Sequence, residues 1–338
     1  MLNKHSQYMN LAIKEAWKYQ LLTYPNPAVG ATVVKNNQVL SVEAHKEAGL
    51  PHAEVLALKA AYLTKYPTSI LKDINDSNLI HDYLIINHHD FFEDCEIYVT
   101  LEPCNHIGKT PACAMLLESI KIKKVYIGTL DPNKNASGGF KRLENANIEV
   151  EIGICKKETD KLLYPFLKYQ SGHFSFFKMA MRVDGSIEGG YITTQDSLNL
   201  VHSLRTKIDL MVIGGNTVRT DRPTLDTRFN KIKKSPDILI YSSKMEFDKT
   251  IPLFNIINRK VTISSSFNLV ENKNYVMIEG GYNLFKSIKD KLNYLMIFIS
   301  HKDTLEKIES EVFMDYKIEY SYFINKYDEI VFLKRIND

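Results

Sequence analysis

Residues 6–22 space their apolar side chains at three- and four-residue steps, which predicts an amphipathic helix. The period then changes. "PNPAVGATVV" runs from turn-forming residues into an apolar, β-branched stretch, and this predicts a buried strand with "VLSVEAH" as its hairpin partner. "HAEVLALKAAYL" is rich in Ala and Leu and predicts a helix whose first turn carries His52 and Glu54. From 62 to 94 the rhythm is lost in polar, Asn- and Asp-rich sequence ending in "NHHDFFED", which reads as an inserted excursion. The strands "EIYVTL", "KVYIGTL" and "IEVEIGI" then alternate with the helices "TPACAMLLESI" and "GGFKRLENAN". Such alternation predicts a three-layer α/β/α domain over 1–155.

A polar helix and connector at 156–172 lead into a second α/β pattern over 173–338, with the boundary placed near 170. Its strands are "FSFFKMAM", "DLMVIGG", "DILIYSS", "KVTISSS", "YVMIEGG" and "YLMIFIS", and "QDSLNLVHSLRTK" is a helix. A chain of 338 residues suits two domains.

Charge narrows the function. A formal net charge of +3 makes no case for nucleic acid. The amphipathic N-terminus is no signal peptide, and no apolar run approaches the ~20 residues that cross a bilayer. A cytoplasmic protein is expected. Four cysteines in such a chain do not form a disulfide framework and suit metal binding or catalysis better. Cys95 and Cys155 read as structural, and His81, His88 and His89 as residues of a solvated loop.

The chemistry sits in "HAE" at 52–54 and "EPCNHIGKTPAC" at 102–113. Taken singly, these are a core histidine and two buried thiols. Taken together, His52, Cys104 and Cys113 supply three ligands for one zinc ion and leave a position open for water. Glu54 is then free to carry a proton from that water to a leaving amine. This order of residues is the H-x-E…P-C arrangement of zinc nucleobase deaminases. The eight residues between the cysteines depart from it, and they carry His106 and Lys109 as candidates to meet an anionic group such as a phosphate.

With "PNPAVG", "HAE", "TLEPCNHIGKTPAC" and "DPN" in the first half, the chain resembles the bifunctional deaminase–reductase family of riboflavin biosynthesis. The second half resembles it through "KMAMRVDGSI", "HSLRTKIDLMVIGGNTVRTDRPTLDTR" and "IEGGYNLF". The resemblance implies an N-terminal cytidine-deaminase-like domain and a C-terminal domain similar to dihydrofolate reductase. It implies zinc-dependent removal of an amine from a phosphoribosylated diaminopyrimidinone, then NADPH-dependent reduction of the ribosyl group to ribityl. By the match, Asn26 holds the pyrimidine and Lys109 approaches its phosphate. Ala180, Tyr191, Thr217, Asp221 and Gly281 face NADPH. Lys178, Thr193, Arg205, Leu225, Arg228 and Glu279 face the substrate, with Arg205 and Arg228 as a phosphate clamp. Tyr191 stands where the family often has Trp. Arg222 stands where it often has an acid, which makes it a candidate for the 2′-phosphate of NADPH.

Independently of the resemblance, no G-x-G-x-x-G fingerprint supports a Rossmann domain. Three rivals remain: a monofunctional deaminase with a non-catalytic second domain; a binding protein with a structural zinc, which would leave Glu54 without a role; and a tRNA or nucleobase deaminase, against which the second half argues.

Overall fold

A computed structural model describes residues 3–337 apart from 107, 109, 134–136, 231–233 and 303–312. The chain divides into two compact units, Met1–Phe166 and Leu167–Asp338.

In the first unit, α1 spans Lys4–Trp17, started by Asn3, whose side chain accepts the Ser6 N–H. The helix stops five residues short of its expected end because the chain turns there, with Leu21 in the left-handed region. The strands β1 (Gly30–Lys35) and β2 (Gln38–Ala44) form the expected hairpin. Helix α2 (Ala53–Lys65) follows, then α3 (Ser77–Asn87) and β3 (Cys95–Leu101). The remaining elements are α4 (Cys113–Ser119), β4 (Lys124–Thr129), α5 (Gly139–Asn145), β5 (Glu149–Ile152) and α6 (Lys156–Gln170). Helix α6 runs through the division between the units. The sheet order is β2-β1-β3-β4-β5, with β3, β4 and β5 parallel.

Alternation along the strands sorts the side chains into layers. Ala31, Val33, Ile97, Val99, Val125 and Ile127 meet α2 and α4 on one face. On the other, Gly30 lies against the Ala12 carbonyl of α1, and Gly128 lies against Thr159 of α6.

The stretch 62–94 is more ordered than its polar composition suggests. Asp76 caps α3 by accepting the N–H groups of Asn78 and Leu79. Ile80, Leu84, Phe91 and Phe92 enter the core. The apolar positions were there, diluted by Asn and Asp that serve as caps and turns. His81 is a correction: it is buried at 1 % exposure rather than solvated, whereas His88 is half-buried and His89 exposed.

The second unit begins with β6 (Phe174–Arg182), α7 (Gln195–Arg205), β7 (Leu210–Gly214), α8 (Gly215–Asp221) and β8 (Asp237–Tyr241). Next come β9 (Val261–Ser264), α9 (Asn268–Glu271), β10 (Tyr275–Glu279), α10 (Tyr282–Ile288) and β11 (Tyr294–Ser300). A final hairpin, β12 (Tyr316–Phe323) and β13 (Asp328–Arg335), was not expected from the sequence. The sheet order is β12-β13-β11-β6-β10-β7-β8-β9. The strands from β11 to β9 in that order run parallel, and the hairpin closes one edge antiparallel. Parallel central strands covered on both faces explain the unbroken apolar runs such as "DLMVIG". Asp328 ties the hairpin to the start of α7, accepting the Thr194 N–H at 2.7 Å and the hydroxyls of Thr194 and Ser197.

Candidate active sites

His52 is the N-cap residue of α2, and Cys113 is the first residue of α4. These neighbouring helix starts bring the two residues together. The His52 Nδ1 lies 3.3 Å from Cys113 Sγ and 3.6 Å from Cys104 Sγ. All three candidate ligand atoms fall within 4.8 Å of one another. The Cys113 N–H donates to Cys104 Sγ at 3.4 Å. The donor set of one imidazole and two sulfurs at a pair of helix N-termini fits zinc and leaves an open coordination position.

The electrostatics favour one thiolate in the pair. The Cys104 thiol is pulled down to about 4, chiefly by its hydrogen bond with the Cys113 side chain and, against burial, by His52. Cys113 is pushed up by the same bond and by burial. Glu54, only 4 % exposed, lies in the first turn of α2. Burial lifts its carboxyl to about 7, with His52 pulling back.

Glu102, two residues before Cys104, has a structural role that no local spacing marks. Its buried carboxylate accepts the N–H groups of Asp131 (3.1 Å), Gly138 (2.9 Å) and Phe140 (3.1 Å). Directly after it, Pro103 packs so closely on Gly139 that a Cβ there would lie 1.8 Å from the Pro103 carbonyl oxygen. These contacts fix the segment that presents Cys104. The signal available was a charged residue between an apolar strand and Pro-Cys.

His45 was also missed. It is buried, its Nδ1 donates to the Pro51 carbonyl at 3.1 Å, and its Nε2 accepts from Asn26 Nδ2 at 3.0 Å. Its ring meets His52 edge-on at 5.3 Å. The structure therefore joins Asn26 to the His52 cluster through His45. His106 is exposed, and Lys109 lies outside the described residues.

In the second unit, Lys178 of β6 and Glu279 at the end of β10 stand opposite each other in parallel register. Lys178 Nζ is 3.0 Å and Arg205 Nη2 is 3.2 Å from the Glu279 carboxylate. Burial pushes that carboxyl up, but Lys178 and Arg205 outweigh it and hold it down at about 2. The fork of Arg205 is buried and spent inward, its Nη1 reaching the Asp226 carbonyl at 3.3 Å. Arg228 is half-exposed, and its Nε meets Asp226 at 2.7 Å. The two arginines thus differ: Arg205 supports the site's floor and Arg228 faces outward. Leu225 is buried with a positive φ, and Arg259, which the sequence reading did not single out, holds that turn by donating to the carbonyls of Thr224 and Leu225.

Strands β7 and β10 are neighbours, and each leaves its carboxyl end through paired glycines into a helix. Gly281 is the residue before α10, where a Cβ would meet Ile187 at 2.6 Å. Thr217 lies in α8, and exposed Asp221 ends it. Ala180 is half-buried on β6, Thr193 is half-buried in the loop before α7, and Tyr191 is 84 % exposed. Arg222 is engaged by Asp248 at 2.8 Å and Thr250 at 2.7 Å. No helix among the described residues is long and apolar enough to cross a membrane.

Residues 2–129 match the cytidine and deoxycytidylate deaminase zinc-binding region. The chain is 34 % identical over 305 residues to the riboflavin biosynthesis protein RibD of Aquifex aeolicus, an alignment spanning 86 % of this chain and 78 % of that protein. It is 32 % identical over 251 residues to RibD of Bacillus amyloliquefaciens, spanning 72 % of this chain and 60 % of the relative. A solved Thermotoga maritima structure, described as a diaminohydroxyphosphoribosylaminopyrimidine deaminase/5-amino-6-(5-phosphoribosylamino)uracil reductase, superposes with a TM-score of 0.62. It is 26 % identical, and the match covers 98 % of this chain and 99 % of that one. Acinetobacter baumannii RibD gives a TM-score of 0.63 at 25 % identity over 99 % of both chains. With its His–Cys–Cys cluster in the first unit and its Lys–Glu–Arg network in the second, the chain belongs to the RibD family of riboflavin biosynthesis proteins.

Proposed function

We propose that the chain is a bifunctional enzyme that deaminates 2,5-diamino-6-(phosphoribosylamino)pyrimidin-4-one in its first unit and reduces the product with NADPH in its second. What carries this reading is the meeting of His52, Cys104 and Cys113 beside a buried carboxylate from the same helical turn. A structural zinc would leave Glu54 idle in a place where burying it is costly.

His52, Cys104 and Cys113 would hold the zinc, which when bound lowers the pKa of the attacking water. Glu54 accepts a proton from that water at its carboxylate and returns it to the departing amine, so that the C–N bond is replaced by a carbonyl and ammonia leaves. Its raised pKa suits both halves of that exchange. Asn26, oriented by His45, hydrogen-bonds the pyrimidine edge. Lys109 approaches the phosphate.

NADPH held in the second unit would supply the hydride for the sugar carbon that becomes the first ribityl carbon. Bound near the glycine turns after β7 and β10, the cofactor would lie among Ala180, Tyr191, Thr217, Asp221 and Gly281. Lys178 and Glu279 face the sugar together with Thr193 and Leu225, and Lys178 is a proton source for the ring oxygen released on opening. Arg205 keeps Glu279 charged, and Arg228 meets the phosphate. The work is done in the cytoplasm on small molecules, without nucleic acid or membrane. The test is turnover of the phosphoribosylated diaminopyrimidine with and without NADPH, with metal analysis of the same sample. Deamination without NADPH and ribityl product with it are expected. Deamination alone under both conditions would leave a monofunctional enzyme.

A further inference from the structure

The turn that leads to Arg228 is gripped from its carbonyl side by two guanidinium groups. Arg259 Nη1 donates to the Thr224 carbonyl at 2.8 Å, and its Nη2 donates to the Leu225 carbonyl. Arg205 Nη1 donates to the next carbonyl, that of Asp226, at 3.3 Å. Three successive carbonyls therefore meet cationic N–H groups. Leu225 lies at the centre with φ at 55°, in the left-handed region that leucine disfavours. Such a conformation persists where its surroundings impose it, and here the two arginines do so.

Arg259 also ties the turn to the sheet. Its Nε donates at 3.0 Å to the carbonyl of Pro236, the residue before β8. All three guanidinium nitrogens thus serve backbone carbonyls, a task for a planar fork and not for an ammonium group. On the far side of the turn, the Asp226 carboxylate accepts from Arg228 Nε at 2.7 Å. An unbroken line of contacts runs from Arg259 through Leu225 and Asp226 to Arg228. Bidentate recognition of a phosphate depends on how such a fork is oriented.

We propose that Arg259 is a positioning residue for the phosphate end of the reductase substrate: by fixing the carbonyls of Thr224 and Leu225 it sets the direction in which Asp226 presents the Arg228 fork. This rests on the reading of Arg228 as the phosphate contact. The test uses the full-length chain, its Arg259→Met, Arg259→Lys and Arg228→Ala variants, and the Arg228→Ala, Arg259→Met double variant. Each receives NADPH with the deaminated phosphoribosyl intermediate, or with the same compound after phosphatase treatment. NADPH affinity and a denaturant melt are measured on the same samples. Arg259→Met should raise KM for the phosphorylated compound roughly tenfold and hold kcat within about twofold. Its NADPH affinity and its kcat/KM for the dephosphorylated compound should match the parent's. Arg259→Lys, which keeps the charge and part of the hydrogen bonding, should recover some of the KM. In the Arg228→Ala background Arg259→Met should add little, because both act on one contact. An unchanged KM, equal losses on the two compounds, or full additivity of the two substitutions would overturn the proposal. Loss of the fold in both Arg259 variants would make the residue structural and also overturn it. An Arg228→Ala chain with the parent's KM would remove the phosphate contact itself, and a parent chain that reduces neither compound would remove the reductase reading; the proposal falls with either.

Discussion

The backbone N–H of Cys113 points at the sulfur of Cys104 from 3.4 Å, so the helix that supplies one candidate ligand also steadies the charge of the other. The two cysteines act as a unit. Cys104→Ala and Cys113→Ala should each lose metal and deamination together, whereas Glu54→Gln should keep about one zinc per chain and lose deamination. Metal analysis alongside ammonia release checks this. Full turnover by Glu54→Gln would remove the proton-carrier role.

Glu54 lies in the first unit, and Lys178 and Glu279 lie in the second. Glu54→Gln, supplied with the deaminated uracil intermediate and NADPH, should therefore form the ribityl product at the parent's rate. Loss of NADPH oxidation in a folded sample would point to one shared site.

Arg205 and Arg228 should part company on mutation. Arg228→Ala removes a half-exposed fork and should lower reductase kcat/KM roughly ten- to a hundredfold, at ~1.4 kcal/mol per decade, with stability and NADPH affinity held. Arg205→Ala takes one of two cations from half-buried Glu279 and should lower stability where Arg228→Ala does not. Denaturant melts and steady-state kinetics on the same preparations separate the two. A kinetic defect confined to NADPH binding would move Arg228 off the substrate side.

Gly139 is the wall behind Cys104. A methyl group there would lie 1.8 Å from the Pro103 carbonyl oxygen, so Gly139→Ala should cost roughly 3–5 kcal/mol or displace Cys104 and weaken zinc binding. Gly153 has a positive φ but open space around it, so Gly153→Ala should cost only about 1–2 kcal/mol and leave zinc alone. Equal zinc retention and equal melts in the two variants would deny the wall.

Acid should weaken the second unit in two steps. Burial, then Arg205, lowers the His202 pKa from 6.5 to about 4, so the folded ring stays neutral where the unfolded one is protonated. A depressed folded pKa gives stability that is complete above about pH 6.5 and lost as pH falls through about 4. The stability from Glu279, held at about 2 against 4.5, is lost in turn between those values. Denaturant midpoints followed by reductase activity should fall from pH 7 to pH 5, and His202→Asn should flatten that slope. The only tryptophan, Trp17, reports the first unit separately.

What the sequence disclosed follows from how each feature is written in it. His52, Cys104 and Cys113 were legible because ligand chemistry allows few residue types, and the structure brings all three together. The parallel strands were legible because both faces are buried, which forces runs such as "YVMIE". Helix α3 was missed because its core contacts, Ile80 and Leu84, sit among residues chosen for caps and turns. Strand β12 was missed for a related reason: it lies at the sheet edge and exposes Ile318 and Phe323, so alternation there carries no core signal. Glu102, His45 and Arg259 act through backbone carbonyls, N–H groups or a neighbouring side chain brought close only by folding, and no local spacing records such partners.

The loop between the cysteines is closed at its base. Besides the contact to sulfur, the Ala114 N–H donates to the Cys104 carbonyl at 3.1 Å, so the chain leaves and returns through the same pair of hydrogen-bonded residues. A segment tethered at both ends can change length at small entropic expense, about 0.6 kcal/mol per doubling. One of its residues still reaches inward, the Thr110 hydroxyl lying 3.5 Å from His52 Nε2. Selection can therefore lengthen or shorten the loop while its closed base holds Cys104 and Cys113 together, with Thr110 the position least free to change.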